Sequence, residues 1–275
     1  LKQLKFIRYI KLILSILIAA FFFVSCSEYN EIVKGDDYEL KFSTANDLYD
    51  KAEYLKSIEL YEQIYQRTPK SGEGELAYFR IGKSYFELGD FPMAGYYLGA
   101  FTQRFPYSVK IEEAMFLSAM CAVNNSPDHT LDQYETEIAI SYLQQFIDAY
   151  PQSSLIDSCN QEMDDLRYKI ELKDYDAVKL YDKTENYRAA VMSANTFLSD
   201  YPRSELREEI FYLLVYNSYM LALNSVENKK CERIEETNER CFNFAVEFPN
   251  SESANSVQNI LDKMQKEYEI SCSNN

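Results

Sequence analysis

Five of the seven prolines in this chain stand in one tetrapeptide, X-Pro-X-Ser, and no other feature limits the possible fold so tightly. The copies are Thr68-Pro69-Lys70-Ser71, Phe105-Pro106-Tyr107-Ser108, Tyr150-Pro151-Gln152-Ser153, Tyr201-Pro202-Arg203-Ser204 and Phe248-Pro249-Asn250-Ser251. Their prolines lie 37, 45, 51 and 47 residues apart. Proline lacks an amide hydrogen and disfavours helix at the residue before it, so each copy ends a helix. The serine two places on can cap the free N–H groups of the next helix. Six residues after the first four prolines comes an acid, Glu75, Glu112, Asp157 or Glu208, which suits the positive end of a helix dipole. An aromatic follows ten residues after three of them, at Phe79, Phe116 and Tyr212. Internal periods of this length denote a repeat architecture. Each unit reads as cap, helix, turn, helix, proline.

Within the units the apolar spacing is helical, as in Tyr78, Ile81, Tyr85 and Leu88. Gly89 is placed as a helix C-terminal cap. In the third unit the turn widens to Asn124 through His129, and His129, in that polar loop, is assigned no role. No glycine or proline occurs from Leu155 to Thr184, which predicts a long first helix for the fourth unit. Glu227 to Lys230 reads as a charged insertion in the fifth, and Glu252 to Tyr268 as a capping helix before a disordered tail. With only 7 glycines and 7 prolines, a turn-rich β fold is disfavoured. The predicted fold is an all-α solenoid of about five helix pairs with a C-terminal capping helix.

The first 25 residues hold Lys2, Lys5, Arg8 and Lys11 and no acid, followed by an apolar run from Leu12 to Val24 broken only by Ser15. A basic start plus an apolar stretch of about 7–15 residues is the secretory-signal pattern, and a membrane span needs about 20. Phe23-Val24-Ser25-Cys26 then resembles the lipobox of bacterial lipoproteins, although Phe23 stands where leucine is usual. In that class the chain is cut before the cysteine, which is acylated on its thiol and new amine. The expected layout is a signal peptide over 1–25 and a lipidated linker over 26–39. Repeats one to three follow over 40–153, repeats four and five with the capping helix over 154–268, and a tail over 269–275.

Charge and residue types exclude several functions. The net charge is −16 and becomes −20 without the four cations of residues 1–25. Nucleic-acid phosphates demand a basic face, so no nucleic-acid partner is expected, and binding of the body itself to an anionic bilayer is disfavoured. A single histidine and the absence of zinc-ligand cysteine spacing argue against metal sites. Paired acids such as Asp164-Asp165 and Glu208-Glu209 point to different sides of a helix. No Gly-rich phosphate loop or nucleophile elbow occurs. No catalytic residue, cofactor or metal is therefore assigned, beyond the covalent lipid on Cys26. Cys121 and Cys159 read as core residues, while the state of Cys231, Cys241 and Cys272 stays open.

The second unit resembles a tetratricopeptide repeat. Counting back from Pro106, Tyr78, Ile81, Gly82, Tyr85, Ala94 and Leu98 occupy that family's large, large, small, large, small and large positions, and Phe101 departs where a small residue is usual. The fourth unit keeps Tyr181 and Ala190, the third Ala139 and Leu143, and the first has Ser57 at the small position. Signal, lipobox, acidic body and long repeats ending in Tyr-Pro or Phe-Pro together resemble the BamD family of outer-membrane assembly lipoproteins. The first unit, from Ala45-Asn46-Asp47-Leu48-Tyr49 to Ser57-Ile58-Glu59, is similar to that family's opening repeat.

That resemblance implies a non-enzymatic, lipid-anchored subunit on the periplasmic side of the outer membrane. Its implied partners are the barrel subunit's periplasmic domains, through the C-terminal repeats, and unfolded outer-membrane proteins, through the N-terminal repeats. In such solenoids the first helix of each pair lines the groove, which would present Phe42, Asn46, Tyr49, Phe79, Lys83 and Phe86 to an extended peptide with an aromatic C-terminus. Alternatively Phe79 and Phe86 pack between repeats. Tyr212, Tyr216 and Tyr219 share one helix face, as core or as docking surface. The competing reading is another repeat-bearing envelope lipoprotein, acting in cell-division coordination or surface binding.

Overall fold

The computed structural model describes residues 28–272, and Cys26 with the signal segment lies outside them. Every regular element among the described residues is a helix. A short helical stretch at 28–34 comes first. Five pairs follow, α1 (Tyr38–Asp50) with α2 (Tyr54–Arg67), α3 (Gly72–Glu87) with α4 (Phe91–Arg104), and α5 (Ile111–Asn125) with α6 (Tyr134–Ala149). Then come α7 (Ile156–Lys183) with α8 (Tyr187–Asp200), α9 (Arg207–Leu223) with α10 (Glu227–Glu247), and the final α11 (Ala254–Ser271). The all-α tetratricopeptide-like reading is what the structure shows. Two compact units divide the chain, one of residues up to 126 with 134–162, the other of 127–133 with everything from Met163.

The second helix of every pair is built to one rule counted back from its proline. Twelve residues before it stands a small side chain, Ser57, Ala94, Ala139, Ala190 or Thr237, and all five are fully buried. Five residues before it stands a large one, Ile64, Phe101, Phe146, Phe197 or Phe244, again all buried. Phe101 is thus no exception of one unit. This chain replaces the usual small residue throughout, and the aromatic before the proline packs on the ring beneath it. Phe101–Phe105, Phe146–Tyr150, Phe197–Tyr201 and Phe244–Phe248 have centroids 5.1, 5.5, 4.9 and 5.3 Å apart. The exit turn is equally constant, with each serine amide donating to the carbonyl of the residue before proline at 3.0–3.2 Å.

The serines divide into two roles. Ser71 is a true N-cap, its hydroxyl accepting from the Gly74 amide at 3.0 Å. Ser108, Ser153, Ser204 and Ser251 instead accept from the amide two residues on, at 2.9–3.2 Å, and their helices start two residues later than α3 does relative to the proline. The reason is steric. A Cβ on Gly74 would lie 2.0 Å from the Thr68 carbonyl oxygen, so the early start requires glycine there. The other units carry Ile111, Ile156, Arg207 and Ala254 at that position. Gly82 allows close approach within its pair, since a Cβ would sit 2.9 Å from the Leu98 Cγ.

The charged insertion from Glu227 to Lys230 is helical and forms the first turn of α10. Two features depart from the sequence reading. Residues 269–271 are helical, and Cys272 bonds to Cys231 across 41 residues with Cα atoms 5.8 Å apart, which holds the last turn in place with the Lys230–Glu267 ion pair. Residues 28–34 of the expected linker are helix too. Cys121, Cys159 and Cys241 are buried and free, and burial pushes the Cys121 and Cys241 thiols up to about 12.

Seventeen residues before their prolines, Ala52, Gly89 and Glu185 adopt left-handed backbone, with φ of 59°, 75° and 57°. That conformation costs an L residue about 1–2 kcal/mol, part of which glycine's larger unfolded-state entropy offsets. Ala52→Gly and Glu185→Gly are therefore expected to stabilise the protein by about 0.5–1 kcal/mol each and Gly89→Ala to destabilise it similarly, read from urea midpoints. Loop-closure entropy over 41 residues predicts a loss of about 3–4 kcal/mol on Cys231→Ser with Cys272→Ser. Urea unfolding with and without reductant measures it, together with loss of amide protection in α11.

Candidate functional site

On α1, Phe42, Asn46 and Tyr49 are spaced by four and three, which places them on one helix face. Phe79, Lys83 and Phe86 occupy the same positions of α3, counted back from the proline. The structure brings part of this set together around a residue that the pattern did not single out, Arg80. Its guanidinium donates through Nη1 to Asn46 Oδ1 at 2.6 Å and to the Tyr61 hydroxyl at 2.8 Å, and stacks over the Tyr49 ring with 4.6 Å to the centroid. Tyr61 donates in turn to Asn46 Oδ1 at 2.7 Å. Burial pushes the Tyr61 phenol up to about 12 against the opposing pull of Arg80, so it stays a neutral partner. Tyr49 stands edge-on to Tyr54 and Tyr61, at 5.6 and 6.5 Å.

Arg80 and Lys83 are adjacent cations in different states. Lys83 donates to Glu113 of α5 at 2.5 Å. Burial works against its charge, but the Glu113 hydrogen bond and the nearby Tyr49, Glu113 and Glu87 outweigh it and leave the ammonium raised above its usual range. Among the described residues Arg80 forms no ion pair, and the partners named above are neutral. A signal for it existed in the sequence. Arg80 lies 34 residues after Asn46, close to one repeat period, one step along the helix from Phe79.

The aromatic candidates separate. Phe79 is 3% exposed and packs on Phe101, with the Lys110 ammonium over its other face, so it belongs to the core between the second and third repeats. Phe86 is half-buried, edge-on to Phe91 at 5.6 Å. Phe42 is half-buried against the first core. The constellation joined by contacts is Asn46, Tyr49, Tyr61 and Arg80 with Lys83 near Tyr49, while Phe42 and Phe86 share only the helix faces of this set. It can hold an anionic group against a guanidinium and an aromatic ring against other rings.

In the second unit Tyr212, Tyr216 and Tyr219 are half-buried against the core of that unit, with Lys263 over the Tyr219 ring at 5.7 Å. Tyr212 borders a shallow cleft with Glu205, Glu208 and Glu209. A second cleft, between α8, α9 and α10, holds Arg207 and Arg240, but Arg207 is paired with Glu247 and Arg240 with Glu236 and the Ser218 hydroxyl. His129 makes contacts that sequence reading gave no hint of. Its Nε2 lies 3.1 Å from Asp176 of α7 and its Nδ1 3.5 Å from Asp128, while Lys173 donates to the Leu131 carbonyl at 2.6 Å. This pins the loop 127–133 onto α7. Among the described residues no group of three or more His, Cys, Asp or Glu is placed to hold a metal, and no helix is long and apolar enough to cross a membrane.

The chain resembles, at 12% identity and a TM-score of 0.41, the structure of the complex of the TPR2AB domain of yeast Sti1 with pHSP90, over 83% of this chain and 98% of that one. No curated protein sequence matches it. The family model described as outer membrane lipoprotein, YfiO, matches residues 36–194 and again 171–271, which takes in all eleven helices of the five pairs and the cap. The chain belongs to the YfiO family of outer membrane lipoproteins.

Proposed function

We propose that the protein is a non-enzymatic scaffold of the machinery that assembles β-barrel proteins into the outer membrane, held on the periplasmic side by acyl chains on Cys26. The family supplies the setting, and the BamD-like signal, lipobox and repeat pattern support the finer role. The observation that carries the binding role is Arg80. It is a cation in a protein of net charge −16, held by the neutral Asn46 and Tyr61 and stacked on Tyr49. An extended segment of an unfolded barrel ends in a carboxylate. A carboxylate reaching Arg80 gains charge-assisted hydrogen bonds, which are roughly twice as strong as the neutral ones. Its terminal aromatic side chain finds the Tyr49 ring in the same constellation, where ring contacts add about 0.5–1.5 kcal/mol. Lys83 is less suited to the carboxylate, because Glu113 already neutralises it.

The second unit serves, in this reading, as the docking surface for the barrel subunit's periplasmic domains. The half-buried stripe of Tyr212, Tyr216 and Tyr219 offers rings with polar tips, and the acids around Tyr212 suit a basic patch on the partner.

Two measurements test this. A fluorescent peptide ending in phenylalanine with a free carboxylate is expected to bind at least about tenfold more tightly than its amidated form, since hydrogen bonds to charged groups contribute about 1.5–3 kcal/mol. Arg80→Gln should reduce that difference to under about twofold, because the guanidinium that recognises the charge is gone. Equal binding of both peptides, or photo-cross-linking only in the fifth repeat, sinks the assignment. Pull-down of the tethered protein from solubilised membranes should recover a barrel protein with periplasmic repeats. Recovery of peptidoglycan-associated proteins in its place favours a coordinator of the envelope instead.

A further inference from the structure

Residues 28–34, ahead of the first repeat, are folded onto the body. Tyr29 sends its hydroxyl to Glu59 Oε2 at 2.5 Å and to the Lys56 carbonyl at 3.1 Å, both on α2. The Lys56 ammonium stands over the Tyr29 ring at 5.7 Å. Burial and the Glu59 contact push the phenol well above its usual range, so it remains a donor at any physiological pH. Ile32 and Val33 pack on the first core. From below, the Lys41 ammonium, on a residue only 3% exposed, donates to the Val33 carbonyl at 3.1 Å and to Gln63 Oε1 at 2.6 Å. Residues 28–34 are thus held at both ends, by a tyrosine at the front and a buried lysine at the back.

This leaves a very short leash. Cys26 precedes Tyr29 by three residues, and three residues of chain span at most about 11 Å. Acyl chains on Cys26 must lie at the bilayer, so whatever surrounds Tyr29 lies there too. What surrounds it is the start of α2. Leu55 there is 70% exposed, next to Lys56 and across the turn from Lys51. We infer that the start of α2, with Leu55 at its centre, is the edge that the protein lays against the lipid surface. The inference rests on the reading of Cys26 as a lipid anchor. Its partner is the bilayer surface itself. Glu28, Glu31, Glu53 and Glu59 surround the edge along with the lysines, so contact is imposed by tether length rather than by attraction to anionic headgroups. A docked leash also orients. An unfolded linker of the same length would let the body turn freely about the anchor, whereas a helix fixed by Tyr29 and Lys41 presents one edge of the first unit.

The test uses the full lipidated protein in vesicles of phosphatidylethanolamine and phosphatidylglycerol containing lipids brominated near the headgroup. A fluorophore is attached at Leu55→Cys or, as the comparison, at Tyr107→Cys, a 97% exposed turn position following α4. The remaining described cysteines are buried or disulfide-bonded and do not compete for label. Quenching at position 55 is expected to exceed that at 107 at least threefold, and Tyr29→Ala to shrink the ratio. Equal quenching at both positions in protein that floats with the vesicles overturns the proposed edge and leaves the anchor standing. Wild-type protein that fails to float, or Cys26→Ser protein that still does, overturns the anchor and the edge with it.

Discussion

A buried side chain five residues before each repeated proline, Ile64 or one of four phenylalanines, fills the inside of its helix pair, while its carbonyl accepts the amide of the residue before the proline at 2.8–2.9 Å. One position thus fixes both the packing of the second helix and the point at which it stops. Burying a phenylalanine side chain is worth about 1.5–3 kcal/mol, and the ring stacked above it adds about 0.5–1.5 kcal/mol. Because no single pair of helices can bury its own stripe, the ring must meet the next pair, and the turn after it decides where that pair begins. A small residue seven positions earlier, buried in all five units, lets the first helix come close enough for the arrangement to close.

The candidate site depends on that closeness. Asn46 and Arg80 belong to first helices of successive units, and Tyr61 to the second helix between them, yet their polar atoms lie within 2.6–2.8 Å. Such a network is held where side chains cannot move apart, which is why Tyr61 sits fully buried at the position where Leu98 and Leu143 sit in later units. The hydroxyl is what distinguishes this unit from the others. It reaches out of an apolar slot to steady a cation, and the cation faces the side where α1 and α3 present Tyr49 and Lys83.

Much of this was legible because proline and spacing carry it. The helix pairs, the long α7, the cap at Gly89 and the wide turn before α6 all follow from breakers and periodicity, which are local properties. What was hidden depends on partners far away in sequence. The charged stretch Glu227 to Lys230 is plain in the sequence, but the pairing of Lys230 with Glu267 is not. Residues beyond Tyr268 read as a tail because nothing local holds them, and the bond from Cys272 to Cys231 is not local. The same holds in the site. Phe79 and Phe86 are equal in spacing and chemistry, and only Phe101 and Lys110 make the first of them core. Arg80 escaped notice because Asn46 and Tyr61, which give it meaning, lie 34 and 19 residues away.

Repeat arrays have a physical difficulty at their ends, where the outermost pair has no neighbour to cover its apolar face. This chain meets it with two different devices. At the front, residues 28–34 lay Ile32 and Val33 on the first core and are secured by non-covalent contacts that include the hydrogen bonds of Tyr29 and Lys41. At the back, α11 lays Val257, Ile260, Leu261 and Met264 on the second unit's core and is closed by a covalent bond. A 41-residue loop closed by the disulfide stabilises the last described turn through the chain entropy it removes from the unfolded state, which the contacts at the front cannot do.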